Sequence, residues 1–263
     1  MKIIVTIKQV PDTKDVEIDK KTGTLKREGV PSIINPEDRN AIEAALVLKE
    51  KHGGEVKVVT MGPPQAKEAL FEALGMGIDK AYLVCDRAFA GADTLATAYT
   101  LSRAISKIGT FDLIICGRQA IDGDTAQVGP QLAATLNIPQ ITYAKRIEIE
   151  ENSVKVHREM DVDTEVVQVQ MPALLTVTEE INHPRYPNFG IIAENFKQDS
   201  VTVFALDDLD TNPAFLGMDG SPTWVNKTFS PQRYTETKHL EGTPKEIVKD
   251  LISELKDKKV LEV

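Results

Sequence analysis

Over its first 140 residues the chain alternates short β-branched runs with amphipathic helical stretches. That alternation admits essentially one architecture, because parallel strands need crossover helices and each helix must bury a stripe against the sheet. Strands are expected at 2–8, 55–61, 80–85 and 111–116. The best-specified helix start is Asn35-Pro36-Glu37-Asp38, with a cap, a proline at the first helical position and two acids in the first turn. Ile42, Ala45 and Leu46 then mark its buried stripe. Further helices are expected from Pro64 to Leu74 before Gly75, from Asp93 onward with Leu95, Ala98, Tyr99, Ser102 and Ile105 on one side, and near 125–136. Val16–Lys26, with turn residues at its centre, reads as a small hairpin excursion.

From about 141 the period falls to two. The segments 147–150, 154–157 and 165–170 read as antiparallel strands added to the sheet, and 171–177 as a strand returning to the parallel core. Phe189–Lys197 can form one short helix. Residues 200–242 are rich in Pro, Asp, Thr and Gly with isolated Phe204, Phe215, Trp224 and Phe229. So long an irregular stretch is uncommon in a compact domain and suggests an arm laid over another surface. A last helix is expected from Pro244 to about Lys258. The fold class is therefore α/β, a mostly parallel, Rossmann-like, adenine-nucleotide-binding type of sheet with added antiparallel strands. Residues 1–198 form the α/β domain and 199–263 an extended arm with a C-terminal helix.

Composition narrows the function. Forty acids against 31 Lys and Arg give a net charge of −9, and the cations are interspersed rather than clustered, which argues against nucleic acid. The longest apolar runs, such as Ala44–Leu48, are five residues, far below the ~20 that span a bilayer. No secretory cleavage pattern follows Met1, and Cys85 and Cys116 each end an apolar run, which fits reduced thiols in a cytoplasmic protein. The four histidines are too scattered for a metal site. No hydrolase, P-loop or G-x-G-x-x-G pattern is present, and no acid, base or nucleophile is nominated.

Two strand-to-helix passages carry the candidate chemistry. Gly117-Arg118-Gln119-Ala120-Ile121-Asp122-Gly123-Asp124-Thr125-Ala126-Gln127-Val128 follows a strand at the carboxyl edge of the sheet, where open α/β folds bind ligands. Its glycines permit close backbone approach, and Asp124 and Thr125 can cap the next helix, leaving free N–H groups for an anion. Pro130 is either the first residue of that helix or a kink in it. Gly91-Ala92-Asp93-Thr94-Leu95-Ala96-Thr97 has a glycine, a capping acid and hydroxyls suited to a pyrophosphate. For both passages an ordinary capped βα turn is an equally good reading of the spacing.

Five segments in order carry a resemblance: Val5–Asp12, Asn35–Asp38, Met61–Pro63 with Ala73–Asp79, Gly117–Pro130, and Asn182-His183-Pro184-Arg185-Tyr186. Together they resemble the beta subunit of electron-transferring flavoproteins. The resemblance implies a heterodimer with an FAD-carrying alpha subunit and an adenine-nucleotide site in this chain, occupied by AMP in single-flavin members and by a second FAD in electron-bifurcating ones. Thr6, with Lys8 beyond it, would meet the adenosine, Asn35–Asp38 would form a wall, and Met61 would end the second strand. Gly117, Arg118, Gln119, Asp122, Gly123, Asp124, Thr125, Gln127 and Val128 would supply the main loop. Gly91, Asp93, Thr94 and Thr97 match the segment that holds the rest of an FAD, which favours the bifurcating type. Ile181, Pro184, Arg185 and Tyr186 fall in the loop that meets a flavin-dependent dehydrogenase of acyl-CoA or hydroxy-acid type. His183 departs from the acid expected there, which leaves the identity of that partner open. A two-FAD member would take electrons from NADH and divide them between a low-potential acceptor such as ferredoxin and the alpha-subunit FAD. It is an electron-transfer subunit rather than a stand-alone enzyme, and the arm would pack on alpha. The competing readings are a single-flavin carrier with structural AMP, and an ATP-binding enzyme or stress-type nucleotide sensor.

Overall fold

The computed structural model describes residues 1–12, 31–226 and 237–261. The hairpin expected at Val16–Lys26 and the anchor Phe229 lie outside them. In chain order the elements are β1 (Lys2–Thr6), β2 (Gln9–Pro11), β3 (Ser32–Ile34), α1 (Pro36–His52), β4 (Glu55–Met61), α2 (Lys67–Met76), β5 (Lys80–Val84), α3 (Thr94–Ile108), β6 (Leu113–Gly117) and α4 (Val128–Leu136). They continue as β7 (Gln140–Glu150), β8 (Ser153–Glu159), β9 (Thr164–Gln170), β10 (Ala173–Val177), α5 (Phe189–Gln198), β11 (Val201–Phe204) and α6 (Pro244–Asp257).

Nine strands form one sheet in the order β11-β5-β4-β1-β6-β10-β7-β8-β9, and β2 pairs with β3 separately. The seven strands from β11 to β7 run parallel. The β7-β8-β9 meander adds two antiparallel strands at one side. The parallel strands are apolar on both faces because helices cover both. Ile3, Val5, Val56 and Val58 face α1 and α2, while Ile4, Val59, Ile114 and Leu174 face α3 and α4. From β1 the chain builds outward first through β4 and β5, then through β6 on the opposite side. The gap between the carboxyl ends of β1 and β6 is therefore a topological switch point, the place where open α/β sheets leave a crevice.

Most expected elements form, and each departure has a physical cause. The first strand stops at Thr6, and the chain beyond it pairs with β3 instead. The second helix does not end at Gly75: a 3-10 turn at Pro64–Ala66 leads into α2, which continues through Gly75 to a left-handed Gly77 (φ 118°). Gly75 is small because α5 lies against it. A Cβ there would stand 3.2 Å from Pro187 Cβ and 2.5 Å from Ile192 Cγ1. On α3, Ala98, Ser102 and Ile105 of the expected stripe are buried and Leu95 is exposed, with Ala96, Leu101 and Ala104 completing the buried face. The stretch after 199 is not wholly irregular: β11 pairs with β5, and Phe204, Leu209 and Leu216 are buried in the core beneath α3 and α4. The break placed after residue 198 consequently lies inside a compact unit that spans Met1–Val225, and a second unit spans Asn226–Val263. In the second unit, Thr243 N–H and Oγ1 donate to Glu246 Oε2 at 2.8 and 2.7 Å, capping α6, whose Val248, Leu251 and Ile252 are exposed. Among the described residues no helix is long and apolar enough to cross a membrane.

Gly129, in the first turn of α4, packs directly on the sheet: a Cβ would stand 2.8 Å from Thr176 Cγ2 and 3.0 Å from Cys116 Sγ. Gly129→Ala should lower unfolding stability by about 1–3 kcal/mol through overpacking. Chemical denaturation of the full chain checks this.

Candidate functional site

The crevice is walled by the first turn of α1. Asn35 sits at the N-cap position but its side chain does not cap α1. Its Nδ2 donates to Gln119 O at 2.8 Å, and its Oδ1 accepts from Ile121 N–H at 3.0 Å. Glu37 Oε2 accepts from Gln119 N–H at 2.9 Å, and its Oε1 pairs with Arg118 at 2.9 Å. Asp38 reaches both strands of the switch point, accepting from Lys8 N–H at 2.8 Å and Gly117 N–H at 3.0 Å. Gly117 is required at its position because a Cβ would collide with the Asp38 carboxylate. Lys8 Nζ bonds Asp122 Oδ1 at 2.6 Å and holds the loop from the β1 side. The acids that mark the helix start are thus buried acceptors for a loop eighty residues away.

Thr6, Cys116 and Thr176 are in register on neighbouring strands and form the floor under α4. All three are buried. Burial pushes the Cys116 thiol up to about 12, and the nearby Asp38 adds to this, so it is inert as a nucleophile. Cys85 and Cys116 are both free. Met61 closes β4 as a half-buried side chain against the same core.

The expectation that Asp124 and Thr125 cap the next helix is corrected. α4 starts at Val128 with Gln127 in the cap position, and Pro130 falls in its first turn. Asp124 and Ala126 both lie in the left-handed region (φ 48° and 53°), and Asp124 Oδ1 instead accepts from Gln119 Nε2 at 3.0 Å. A tight turn closed by the Gly123 and Asp124 N–H groups on Ala120 O uses up the residues that a helical cap needs. Gly123, Asp124, Thr125 and Gln127 are exposed along the outer rim, and Val128 is half-buried.

The second passage joins this loop through one bond, Thr94 Oγ1 to Gln127 Oε1 at 3.0 Å. Thr97 lies one turn further along α3, half-buried. Asp93 caps α3, its Oδ1 accepting from Leu95 and Ala96 N–H at 3.0 and 3.1 Å. Desolvation opposes ionisation of Asp93, but the hydrogen bonds from Ala96, Thr223 and Leu95 prevail and hold its carboxyl below the usual range. Gly91 (φ 73°) lies against Met218. The structure therefore brings Lys8, Asn35, Asp38 and Gly117–Asp122 into direct contact and links Thr94 to their rim. Glu37, part of the expected Asn35–Asp38 wall, bonds the first of these loops. Ser221 and Thr223, which bond Asp93 in the second, were not singled out, and no sequence signal marked them.

Residues 22–209 match the electron transfer flavoprotein domain. The chain is 51% identical over 261 residues to the electron transfer flavoprotein subunit beta of Thermoanaerobacterium thermosaccharolyticum, covering 99% of this chain and all of that one. It is 50% identical over 263 residues to the caffeyl-CoA reductase-Etf complex subunit CarD of Acetobacterium woodii, again over 99% and 100% of the two chains. A third relative, the acryloyl-CoA reductase electron transfer subunit gamma of Anaerotignum propionicum, is 41% identical over 268 residues, 99% and 100%. The chain belongs to the electron transfer flavoprotein beta-subunit family.

In this beta-subunit-family chain the loop after β10 is fastened to the same helix as the crevice. Asn40 Nδ2 donates to Asn182 O at 2.9 Å and Asn182 Nδ2 returns a bond to Asn40 O at 3.0 Å. Arg185 donates its backbone N–H, Nε and Nη2 to Glu43 at 3.0, 2.8 and 2.9 Å, and Nη1 to Glu50 at 2.6 Å. Arg185 is therefore spent inward on α1. Ile181 and Pro184 are half-buried, and Tyr186 stands 96% exposed.

Asn35→Ala leaves Gln119 O and Ile121 N–H without their partner, so it should cost about 1–3 kcal/mol and speed amide exchange at Ile121. Native-state hydrogen exchange measures both. Burial also pushes the Asp38 carboxyl up to about 7, against the bonds from Lys8 and Gly117 that favour its charge. Its folded value exceeds its unfolded one, so the native state holds the extra proton between roughly pH 4 and 7. Stability should fall as pH rises through that window and level off above it. Denaturation at stepped pH, with the Asp38 carboxyl carbon followed by NMR, reads this directly.

Proposed function

We propose that the crevice binds the adenosine of an FAD and that the α3 N-terminus receives the rest of the dinucleotide, making this chain the second-flavin subunit of a bifurcating complex. The observation that carries the reading is the Thr94–Gln127 bond, which places a second strand-to-helix passage on the rim of the switch-point crevice. AMP alone does not call for such an extension. The donor set fits a dinucleotide: backbone and hydroxyl groups at Thr94 and Thr97, a Gly-rich rim at Gly123, and Lys8 and Arg118 whose charges are balanced by Asp122 and Glu37. Thr6, Lys8, Asn35, Asp38, Met61 and Gly117–Val128 are assigned to the adenosine side. Bound FAD supplies two-electron exchange with NADH and one-electron exchange with ferredoxin and with the FAD of an alpha subunit. This chain's residues bind, orient and enclose it.

The relatives named for caffeyl-CoA and acryloyl-CoA reductases support an acyl-CoA-type flavin dehydrogenase as the partner, met through Ile181, Pro184 and the exposed Tyr186. The 226–263 unit, with the exposed apolar face of α6, is assigned to the alpha subunit. A second reading, a single-flavin carrier with AMP, draws on one observation: Asp93 already occupies two N–H groups of α3 with a negative charge.

The test is to denature the complex purified with its alpha subunit and count released nucleotides by chromatography. Two FAD per heterodimer, with one lost on Thr94→Val/Thr97→Val, is the expected result. One FAD and one AMP would establish the single-flavin reading.

A further inference from the structure

The α3 N-terminus is closed on one side by residues 212–223 of the same compact unit. Asn212 N–H donates to the Tyr99 hydroxyl at 2.8 Å. Gly217 sits so close to the carbonyls of Ala88 and Ala90 that no side chain fits. At the end of this strap, Ser221 Oγ accepts from Asp93 N–H at 2.8 Å and donates to Gly217 O at 2.6 Å. Thr223 then donates twice to Asp93 Oδ2, from N–H at 3.1 Å and from Oγ1 at 2.7 Å.

The arrangement answers an electrostatic problem. Helix N-termini bind phosphates through their first N–H groups, yet here two of those are taken by a carboxylate, an anion that repels phosphate and accepts from the same donors. One oxygen, Oδ1, is fixed by the helix. The other is the free variable, one residue from the Thr94 hydroxyl. Satisfied by Thr223, Oδ2 is held on the strap and takes no hydroxyl from the first turn. Without the Thr223 hydroxyl it keeps only the backbone N–H bond and becomes an under-satisfied anionic acceptor beside the phosphate donors.

We propose that Thr223, assisted by Ser221, is a positioning residue for dinucleotide binding, holding the Asp93 carboxylate on the strap and away from the first turn of α3, where Thr97 and Thr94, itself held by Gln127, would meet phosphate. This rests on the FAD reading above and adds to it a strap that reading does not include.

The experiment uses the complex with the alpha subunit and measures FAD content and the rate at which the second FAD is released on gel filtration and dilution. Thr223→Val should release it about tenfold faster, the loss expected when a hydrogen bond to a charged group is removed, while the alpha-subunit FAD stays bound. Thr223→Ser keeps the hydroxyl and should behave as the unsubstituted chain. Adding Asp93→Asn to Thr223→Val should restore retention, because an asparagine caps a helix without the charge. If Thr223→Val fails to assemble, Ser221→Ala takes its place with the same direction of change. Release unchanged in Thr223→Val, or no recovery with Asp93→Asn, overturns the strap while leaving the two-FAD reading intact. One FAD and one AMP in the unsubstituted complex overturns both.

Discussion

The Asp38 carboxylate is the joint on which the switch-point crevice is built. β1 and β6 diverge where the sheet changes direction, and their ends would otherwise present unpaired N–H groups at Lys8 and Gly117. One buried side chain on the first turn of α1 accepts from both. A buried carboxylate is costly unless its oxygens are satisfied, and here satisfaction and construction are the same act. Gly117 has no side chain because the carboxylate occupies that space. Glu37 and Asn35 extend the device along the loop to Gln119 and Ile121. The loop is thereby preorganised by a helix terminus and not by its own turn chemistry.

The far side of the site follows a related logic with the chain direction reversed. There the acid, Asp93, belongs to the loop, and the partner groups arrive from a late segment at 221–223. Early and late parts of the chain meet at the α3 terminus, immediately before the exposed Trp224 and Val225 that close the first compact unit.

The parallel core was legible in the sequence because burial on two faces leaves continuous β-branched runs, and the β7-β8-β9 meander because one-sided burial leaves period two. The start of α1 was legible from Pro36 and its acids, but their targets were not: nothing local to Glu37 or Asp38 reveals an acceptor role across eighty residues. α4 was placed too early because Asp124 and Thr125 resemble caps, whereas left-handed backbone at Asp124 and Ala126 diverts them into a turn. Gly75 read as a stop because its real constraint, the packing of α5, is tertiary. β11 was missed because a four-residue edge strand offers too little pattern among prolines and aspartates. A role for the 91–97 and 117–128 loops was read from motif resemblance, since spacing alone fitted an ordinary capped turn equally well.

The fastening of Arg185 to Glu43 and Glu50 gives α1 a metrical role. Its first turn fixes the 117–122 loop and its third turn fixes the loop after β10. Eight residues of helix separate Asn35 from Glu43, about 12 Å of axial rise. A helix is stiff over so short a span, so this chain carries a gauge block between its two loops. A body docking against Tyr186 meets a surface whose offset from the crevice is set by helical pitch. Any change in the spacing of the two loops would have to deform that block.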